Sequence, residues 1–534
     1  MNSPFLIAAR KAIDDPQLQD LLDRNAETRQ QRRESAFHQL PDAAALRDRA
    51  KAIRRETVSN LATHLEAFAQ RLIDNGIQVH RAADGPEASR IVVEIAKRHG
   101  ADLVAKSKSM VTEEISLNEE LASAGIRAVE TDLGEYIVQL RGEPPAHILT
   151  PALHLTKEQI AETFSDQLGE QVMPDVTEIN RVARKSLREV FFSAQIGLTG
   201  VNFGVAESGT LCIITNEGNG RMVTSLPPVH IAVMGIERLV PTMDDLAVML
   251  RLLPRSATGQ KITNYVSLIT APRRETDPDG AEERHVILVD NGRGALLGTP
   301  LAEALDCIRC GACLNACPVF REAGGHAYGS VYSGPIGSVV SPALFGMSEF
   351  GHLAKASSLC GACVDACPVG IDIPGMLLRV RSAAPSNIPS VERGLKAFAW
   401  IARSPTRFRL AQRLAAFAVR FLPIKADWIT SLPGPLAEWT AFRDFPGFAS
   451  RPLRARLPKI PLAVQPRSPE IEPPVQTERL PERDLDDSKV DDFESELAEL
   501  GCEIIRCSED EAVDRIVGEL YVLGASRVLA WGQV

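Results

Sequence analysis

Two cysteine runs, "CIRCGACLNACPVF" at 307–320 and "SSLCGACVDACPVG" at 357–370, constrain this chain more than any other stretch. The first is C-x2-C-x2-C-x3-C-P, with Cys307, Cys310, Cys313 and Cys317; the second keeps Cys360, Cys363 and Cys367 but has Ser357 where its first cysteine should stand. Such spacing wraps a loop around a cubane iron-sulfur cluster so that three thiolates reach one cluster, while the cysteine before proline turns toward its neighbour. Read crosswise, Cys307, Cys310, Cys313 and Cys367 hold cluster 1, and Cys317, Cys360 and Cys363 hold cluster 2. A structural zinc site is the competing reading, but it favours paired C-x2-C units with four ligands per metal. The expected cofactors are therefore two 4Fe-4S clusters. The second lacks one thiolate and so has a labile iron, convertible to 3Fe-4S, unless a side chain such as His352 or Glu349 caps it. Cys212, in the apolar "TLCIIT", and Cys502 and Cys507, beside another strand, read as small hydrophobes and not ligands.

The remainder of the chain must house these loops. Its 534 residues exceed one ordinary core and call for several domains. With 45% apolar and 24% charged residues it reads as globular. The start, "MNSPFLIAARKAIDDPQLQD", lacks the h-region of an export signal, and no apolar run approaches the ~18–20 residues that span a bilayer. Clustered cysteines fit metal ligation in a reducing compartment better than a disulfide framework, so the expected location is cytoplasmic.

Residues 1–63 are Arg-, Glu- and Ala-rich with helical spacing and a break at Pro41. From 64 to 300 the pattern alternates helix and strand, as in "LEAFAQRLIDNG", "IQVHRA", "PEASRIVVEIAKRHG" and "ADLVAKS", with Gly76 and Gly100 placed as helix C-caps. The cysteine region occupies 301–384, and 385–457 is a basic helical segment in a chain whose formal charge is −10. That charge is local and indicates no nucleic-acid partner; with Trp400, Trp428 and Trp439 the segment offers a partner surface or a peripheral membrane contact, against ordinary packing over the cluster region as the plainer reading. Residues 458–487 are dense in proline and acid and read as a linker. From 488 to 534 the sequence repeats the start of the α/β unit, pairing Gly501 with Gly76 and Arg506 with Arg81.

The loops of the α/β unit carry the other candidates. "GLTGVNFGVAESG" and "NEGNG" place glycines at strand ends, where backbone amides can approach a carboxylate or phosphate, or simply turn. Lys106, Lys108, Ser109, Glu113 and Glu114 follow a strand, where open α/β sheets place ligands, although a capped helix start explains much of the group. His147, His154 and His230 lie beside apolar residues and read as core histidines. "GRGALLG" at Gly292 is too weak to mark a dinucleotide site.

The motifs "KSKSMVTEEISLN", "ETDLGEYIVQL", "GEPPAHILTPALH", "GLTGVNFGVAESGT", "TNEGNGRMVTSLP", "VMGIERLVPTMDDL", "LLPRSATGQKIT", "CIRCGACLNACPV" and "GGHAYGSVYSGPIG" occur in one order. In them the chain resembles the lactate utilization protein B family, the iron-sulfur subunit of a three-part L-lactate oxidation system. The resemblance implies that 64–300 is an α/β domain of the CoA-transferase/ribose-phosphate-isomerase-like type, joined to an α-helical two-cluster ferredoxin-like domain. It implies electron transport from lactate toward an acceptor, with lactate utilization proteins A- and C-like subunits as partners, and three cysteines as the usual second motif. The 488–534 segment is similar to the start of the separate protein C. An alternative reading makes the α/β domain a CoA-transferase- or isomerase-like enzyme with Glu207 or Glu217 as nucleophile or base and structural or regulatory clusters.

Overall fold

The computed structural model describes residues 3–384 and 389–418, with 424–425, 428–432, 434, 437, 440 and 443–446. The chain forms two compact units, 1–397 and 398–534. The proline- and acid-rich stretch 458–487 and the repeat-like 488–534 lie outside the described residues.

The first unit is built on a six-stranded sheet in the order β1-β10-β7-β4-β2-β3, every pairing parallel. Its strands are β1 (Gln78–Ala82), β2 (Leu103–Lys106), β3 (Arg127–Glu130), β4 (Ile196–Gly200), β7 (Val229–Gly235) and β10 (Glu283–Val289). A parallel sheet is covered on both faces, so its central strands read as unbroken apolar runs, and every residue of β7 is buried. Alternation still sorts the faces. Ile231 and Val233 pack with Val92, Ile95 and Leu121 of the helices Gly85–Arg98 and Leu117–Ser123, whereas Ala232 and Met234 pack with Phe68 and Leu72 of Leu61–Asp74. Each wholly buried Leu or Phe contributes about 1.5–3 kcal/mol. Gly76, at φ 83°, closes Leu61–Asp74, with the Ile77 amide donating to the Leu72 carbonyl at 2.9 Å; Gly100, at φ 59°, does the same after Gly85–Arg98.

A second, smaller sheet has the order β8-β5-β6-β9, with β5 (Phe203–Val205), β6 (Thr210–Thr215), β8 (Leu239–Val240) and β9 (Tyr265–Ile269). β6 pairs antiparallel with β5 and β9, and β5 pairs parallel with β8. Cys212 in β6 is wholly buried and its thiol is pushed up to about 12 by burial, the behaviour of a small hydrophobe.

The amino-terminal residues form helices Pro4–Ile13, Pro16–His38 and Ala43–Ser59, interrupted around Pro41 as the sequence indicates. They do not form a separate body. Ile53 shares one core with Phe203, Cys212 and Val240 of the small sheet, and that core continues into Leu305, Ile308, Ile336 and Leu377 of the cysteine region. Arg54 fastens the junction. Wholly enclosed, it donates to the carbonyls of Asp306 (3.1 Å), Leu305 (2.8 Å), Glu237 (2.7 Å) and Leu239 (2.5 Å). Spending its donors in this way offsets the cost of burying the guanidinium.

In the second unit the described residues include helix Pro405–Ala418 and the short antiparallel strands β11 (Ile424–Lys425), β12 (Trp428–Ile429) and β13 (Phe445–Pro446). The Arg407 guanidinium lies 4.2 Å over the Trp400 ring, and Phe398, Trp400, Leu410 and Leu414 are exposed. No helix among the described residues is long and apolar enough to cross a membrane.

Candidate functional site

The two cysteine loops have the same backbone. Arg309 and Leu359 are left-handed at φ 58° and 57°, followed by left-handed Gly311 and Gly361 at φ 71° and 86°. One helical turn then follows in each, Ala312–Asn315 and Ala362–Ala366, before Cys317 and Cys367 adopt extended backbone ahead of Pro318 and Pro368. A left-handed non-glycine residue costs about 1–2 kcal/mol, so its recurrence at matched positions marks a loop shaped to turn inward. In the first loop the Arg309 amide donates to Cys307 Sγ at 3.4 Å; in the second the Leu359 amide donates to Ser357 Oγ at 3.1 Å. Ser357 thus occupies the place that Cys307 holds in the other copy.

The thiols gather crosswise. Cys307, Cys310 and Cys313 line one small cavity together with Cys367 of the other loop, walled by Ile148, Ile308, Ile336, Val369, Ile371 and Ile373. Cys317 lies with Cys360 and Cys363: after burial, Cys360 raises Cys317, and Cys317 and Cys360 both raise Cys363. Burial, then Cys367, pushes Cys310 up to about 12, and burial, then Cys317 and Cys360, pushes Cys363 up to about 11. Cys360, exposed, is lowered by the Ala362 amide and the Ser358 hydroxyl. None of these cysteines is in a disulfide. Four soft donors around one apolar-walled cavity fit a four-thiolate iron-sulfur cluster, and the other three fit one that lacks a thiolate. Because most of these thiols are protonated when free, loading must release protons. His352 Nδ1 faces the Glu349 carbonyl at 2.8 Å.

The loops are held by arginines from the amino-terminal helices. Arg33 donates to the Ala366 carbonyl at 2.9 Å, and Arg47 to those of Asp365 and Cys367 at 3.0 and 2.8 Å. Arg238, after β7, donates to the Cys307 carbonyl at 3.0 Å. His147 is a structural link. Its Nδ1 accepts from the Leu149 amide at 3.0 Å, its Nε2 meets Asn315 Oδ1 at 3.2 Å, and burial lowers it to about 3, so it is neutral. His230 is likewise enclosed, between Thr199 Oγ1 and Arg284, and His154 pairs with Glu143.

A second cavity, of about 280 Å³, opens at the carboxyl ends of β2, β4 and β7. Its wall includes Ser107, Lys108, Ser109, Asn202, Glu217 and Asn219, with Glu237, Arg238 and Arg293 beyond the strand ends and Arg309 and Tyr332 contributed by the cysteine region. Ile148 and Arg309 line both this cavity and the one surrounded by Cys307, Cys310, Cys313 and Cys367. Backbone there is tightly packed: a Cβ on Gly200 would lie 2.7 Å from Ser109 Oγ, and one on Gly235 2.2 Å from Glu237 Oε2. Arg293 is fully engaged, at 2.6 Å from Glu237 and 2.7 Å from both Glu114 oxygens. Burial alone would raise Glu237, but Arg293, Arg309 and Arg238 outweigh it and hold the carboxylate ionised.

Of the two candidate glutamates, Glu217 lines this cavity, accepts from the Leu133 amide at 3.1 Å and is raised by burial and then by Asp132. Glu207 accepts from the Met243 amide at 2.7 Å at the start of helix Met243–Ala257, away from the cavity lining. Lys106 is consumed by Glu113, at 2.6 Å, and Glu130, whereas Ser109 caps the short helix Met110–Glu114. Sequence reasoning missed Arg238, Arg293, Arg309 and Tyr332. A signal existed for two of them: Arg309 is a charged residue in "CIRC" where "SSLC" has an apolar one, and Arg293 stands within "GRGALLG".

Comparison with known proteins covers most of the chain. The LUD domain matches residues 65–289, the 4Fe-4S dicluster domain 303–371, and the C-terminal domain of lactate utilisation protein B 386–459. The chain is 43% identical over 451 residues to lactate utilization protein B of Geobacillus kaustophilus, covering 83% of this chain and 94% of that protein. It is 44% identical, with the same coverage, to lactate utilization protein B of Macrococcus caseolyticus. A crystal structure of a DUF162 family protein from Deinococcus radiodurans, 12% identical and covering 43% of this chain and 98% of its own, aligns with a TM-score of 0.24, too distant to inform the fold.

Proposed function

We propose, from the premise that this chain belongs to the lactate utilization protein B family, that it is the iron-sulfur electron-transfer subunit of an L-lactate-oxidising system. The observation that carries this reading is the crosswise gathering of thiols, four around one cavity and three together beside it. Cys307, Cys310, Cys313 and Cys367 hold one 4Fe-4S cluster, and Cys317, Cys360 and Cys363 hold the other. Oxidising a 2-hydroxy acid to a 2-oxo acid removes two electrons, and two bound clusters supply one-electron carriers for them. The chain's own residues keep those carriers close and dry: apolar side chains wall the first site, and Arg33, Arg47, Arg54 and Arg238 fix the loop carbonyls.

On this reading the 64–300 region is a CoA-transferase/ribose-phosphate-isomerase-like domain, 301–384 a two-cluster domain, and 458–487 a linker. The partners are A- and C-like subunits in the cytoplasm. Anaerobic purification with iron and sulfide quantitation and EPR, repeated after L-lactate is added with and without those partners, tests it. Two clusters reduced by lactate when the partners are present support the role; clusters that lactate never reduces, with all partners present, contradict it.

The placement of Glu217 in the cavity at the strand ends favours one second reading, group transfer by the α/β domain. Acyl exchange on CoA thioesters by the purified chain without any redox partner would reverse the ranking.

A further inference from the structure

The cavity at the carboxyl ends of β2, β4 and β7 holds more unspent polar groups than a structural void would. Lys108 Nζ and Arg309 Nη1 are buried there without a hydrogen-bond partner, and so is the acceptor Asn219 Oδ1. Lys108 has only an ion pair at 3.2 Å to Glu135. Arg309 is 3.8 Å from Glu237, beyond hydrogen-bond range, and otherwise rests 4.2 Å from the centre of the Tyr332 ring. Leaving buried charged donors without hydrogen bonds is costly, so an anion that enters gains what the fold has withheld.

The charge and size of that anion can be read from the wall. Lys108, Arg238, Arg293 and Arg309 face Asp132, Glu217 and Glu237, and Glu135 and Glu114 behind the wall pair with Lys108 and Arg293, so the site carries no surplus positive charge and attraction must come from the unspent donors themselves. Three lining carboxylates disfavour a phosphate dianion, and two donors short of hydrogen bonds suit a single carboxylate. At about 280 Å³ the cavity is at the small end for ligand sites, too small for a dinucleotide. A guanidinium and an ammonium present donors to a carboxylate, while the Asn219 oxygen seeks a donor such as a hydroxyl.

We propose that this cavity binds a small 2-hydroxy acid, its carboxylate on Lys108 and Arg309 and its hydroxyl on Asn219, so that the substrate of the redox system sits on this chain beside the first cysteine loop. The proposal rests on the redox reading above for the identity of that substrate as L-lactate. Because Arg309 stands between Cys307 and Cys310 and lines both cavities, the bound acid and the first cluster site share one arginine.

The test is calorimetric titration of the full, anaerobically loaded chain with L-lactate, with propionate, which lacks the hydroxyl, and with inorganic phosphate. L-lactate should bind, and propionate and phosphate should each bind at least about tenfold more weakly. Lys108→Gln and Arg309→Gln should each weaken L-lactate at least about tenfold, and Asn219→Ala should bring L-lactate down to propionate. Arg251→Gln, which breaks an exposed pair with Asp42, should change nothing. Thermal unfolding and iron content check that each variant is folded and loaded; if Arg309→Gln loses iron, Lys108→Gln and Asn219→Ala decide. Failure of L-lactate to bind at millimolar concentration, binding that neither variant weakens, or phosphate binding as tightly as L-lactate overturns the proposal. Loaded chain that binds no L-lactate but is reduced through its partners would overturn this site and leave the relay standing, whereas L-lactate binding by a loaded chain whose clusters lactate never reduces, with all partners present, would do the reverse.

Discussion

Where the first cysteine loop has Cys307 accepting from the Arg309 amide at 3.4 Å, the second has Ser357 accepting from the Leu359 amide at 3.1 Å, on backbones that turn left-handed at the same two positions. The surroundings differ as much as the donors. Cys310 and Cys313 are buried, Arg309 is stacked on Tyr332, and Arg238 holds the Cys307 carbonyl. Cys360 is exposed, and Arg381 holds the Ser357 carbonyl at 2.8 Å. Duplicated backbone therefore does not imply duplicated chemistry. Four thiols, one of them from the second loop, gather at the first loop, and three, one of them from the first loop and one exposed, gather at the second, and an iron without a thiolate is the one most easily reached or lost.

The largest expected effect exchanges the loops. Cys367→Ala, although in the second loop, should leave the first cluster with three thiolates and an air-labile iron, whereas Cys317→Ala should leave the second with two and lose it, lowering iron per chain by about half. Iron quantitation with EPR reads this, and the comparison breaks if each cluster instead follows the cysteines of its own loop. A smaller effect sharpens the contrast between enclosed and wet clamps. Arg54→Met leaves buried carbonyls of Leu305 and Asp306 without donors and should cost about 3 kcal/mol or more, whereas Arg47→Met, against partly exposed carbonyls near Cys367, should cost about 1 kcal/mol. Ordered thermal midpoints of the loaded variants check it, and equal shifts would contradict it. The smallest effect on the loops should come from limited proteolysis: cutting first within 458–487 is expected to leave both clusters in place, and resistance there with cutting elsewhere counts against a linker.

Much of this was legible in the sequence, and the losses have a physical pattern. Periodicity and caps indicated the helices from Leu61 to Arg98 and strands such as β1, β2 and β10, because those signals are local. The crosswise thiol sets follow from spacing, since the turn before Pro318 and Pro368 is a short-range property. Strand order is not local. Nothing in "GTLCIITNEG" reveals that β6 leaves the parallel sheet to pair antiparallel with β5 and β9. Arg54 is one of several arginines in an Arg-rich helix, and only its four distant carbonyls single it out. Lys106 and Lys108 look alike in "KSKS", yet the fold spends the first on two glutamates and leaves the second without a hydrogen bond.

The difference between the loops is tested most directly by EPR of the anaerobically prepared, air-oxidised protein beside a Ser357→Cys variant. A serine hydroxyl ionises far less readily than a thiol, so Ser357 leaves one iron of the second cluster without a thiolate, and cysteine there should restore it. The expected result is an oxidised three-iron signal in the parent that weakens in the variant, with the first cluster unchanged in both. Two equally air-stable four-iron clusters in the parent would contradict it.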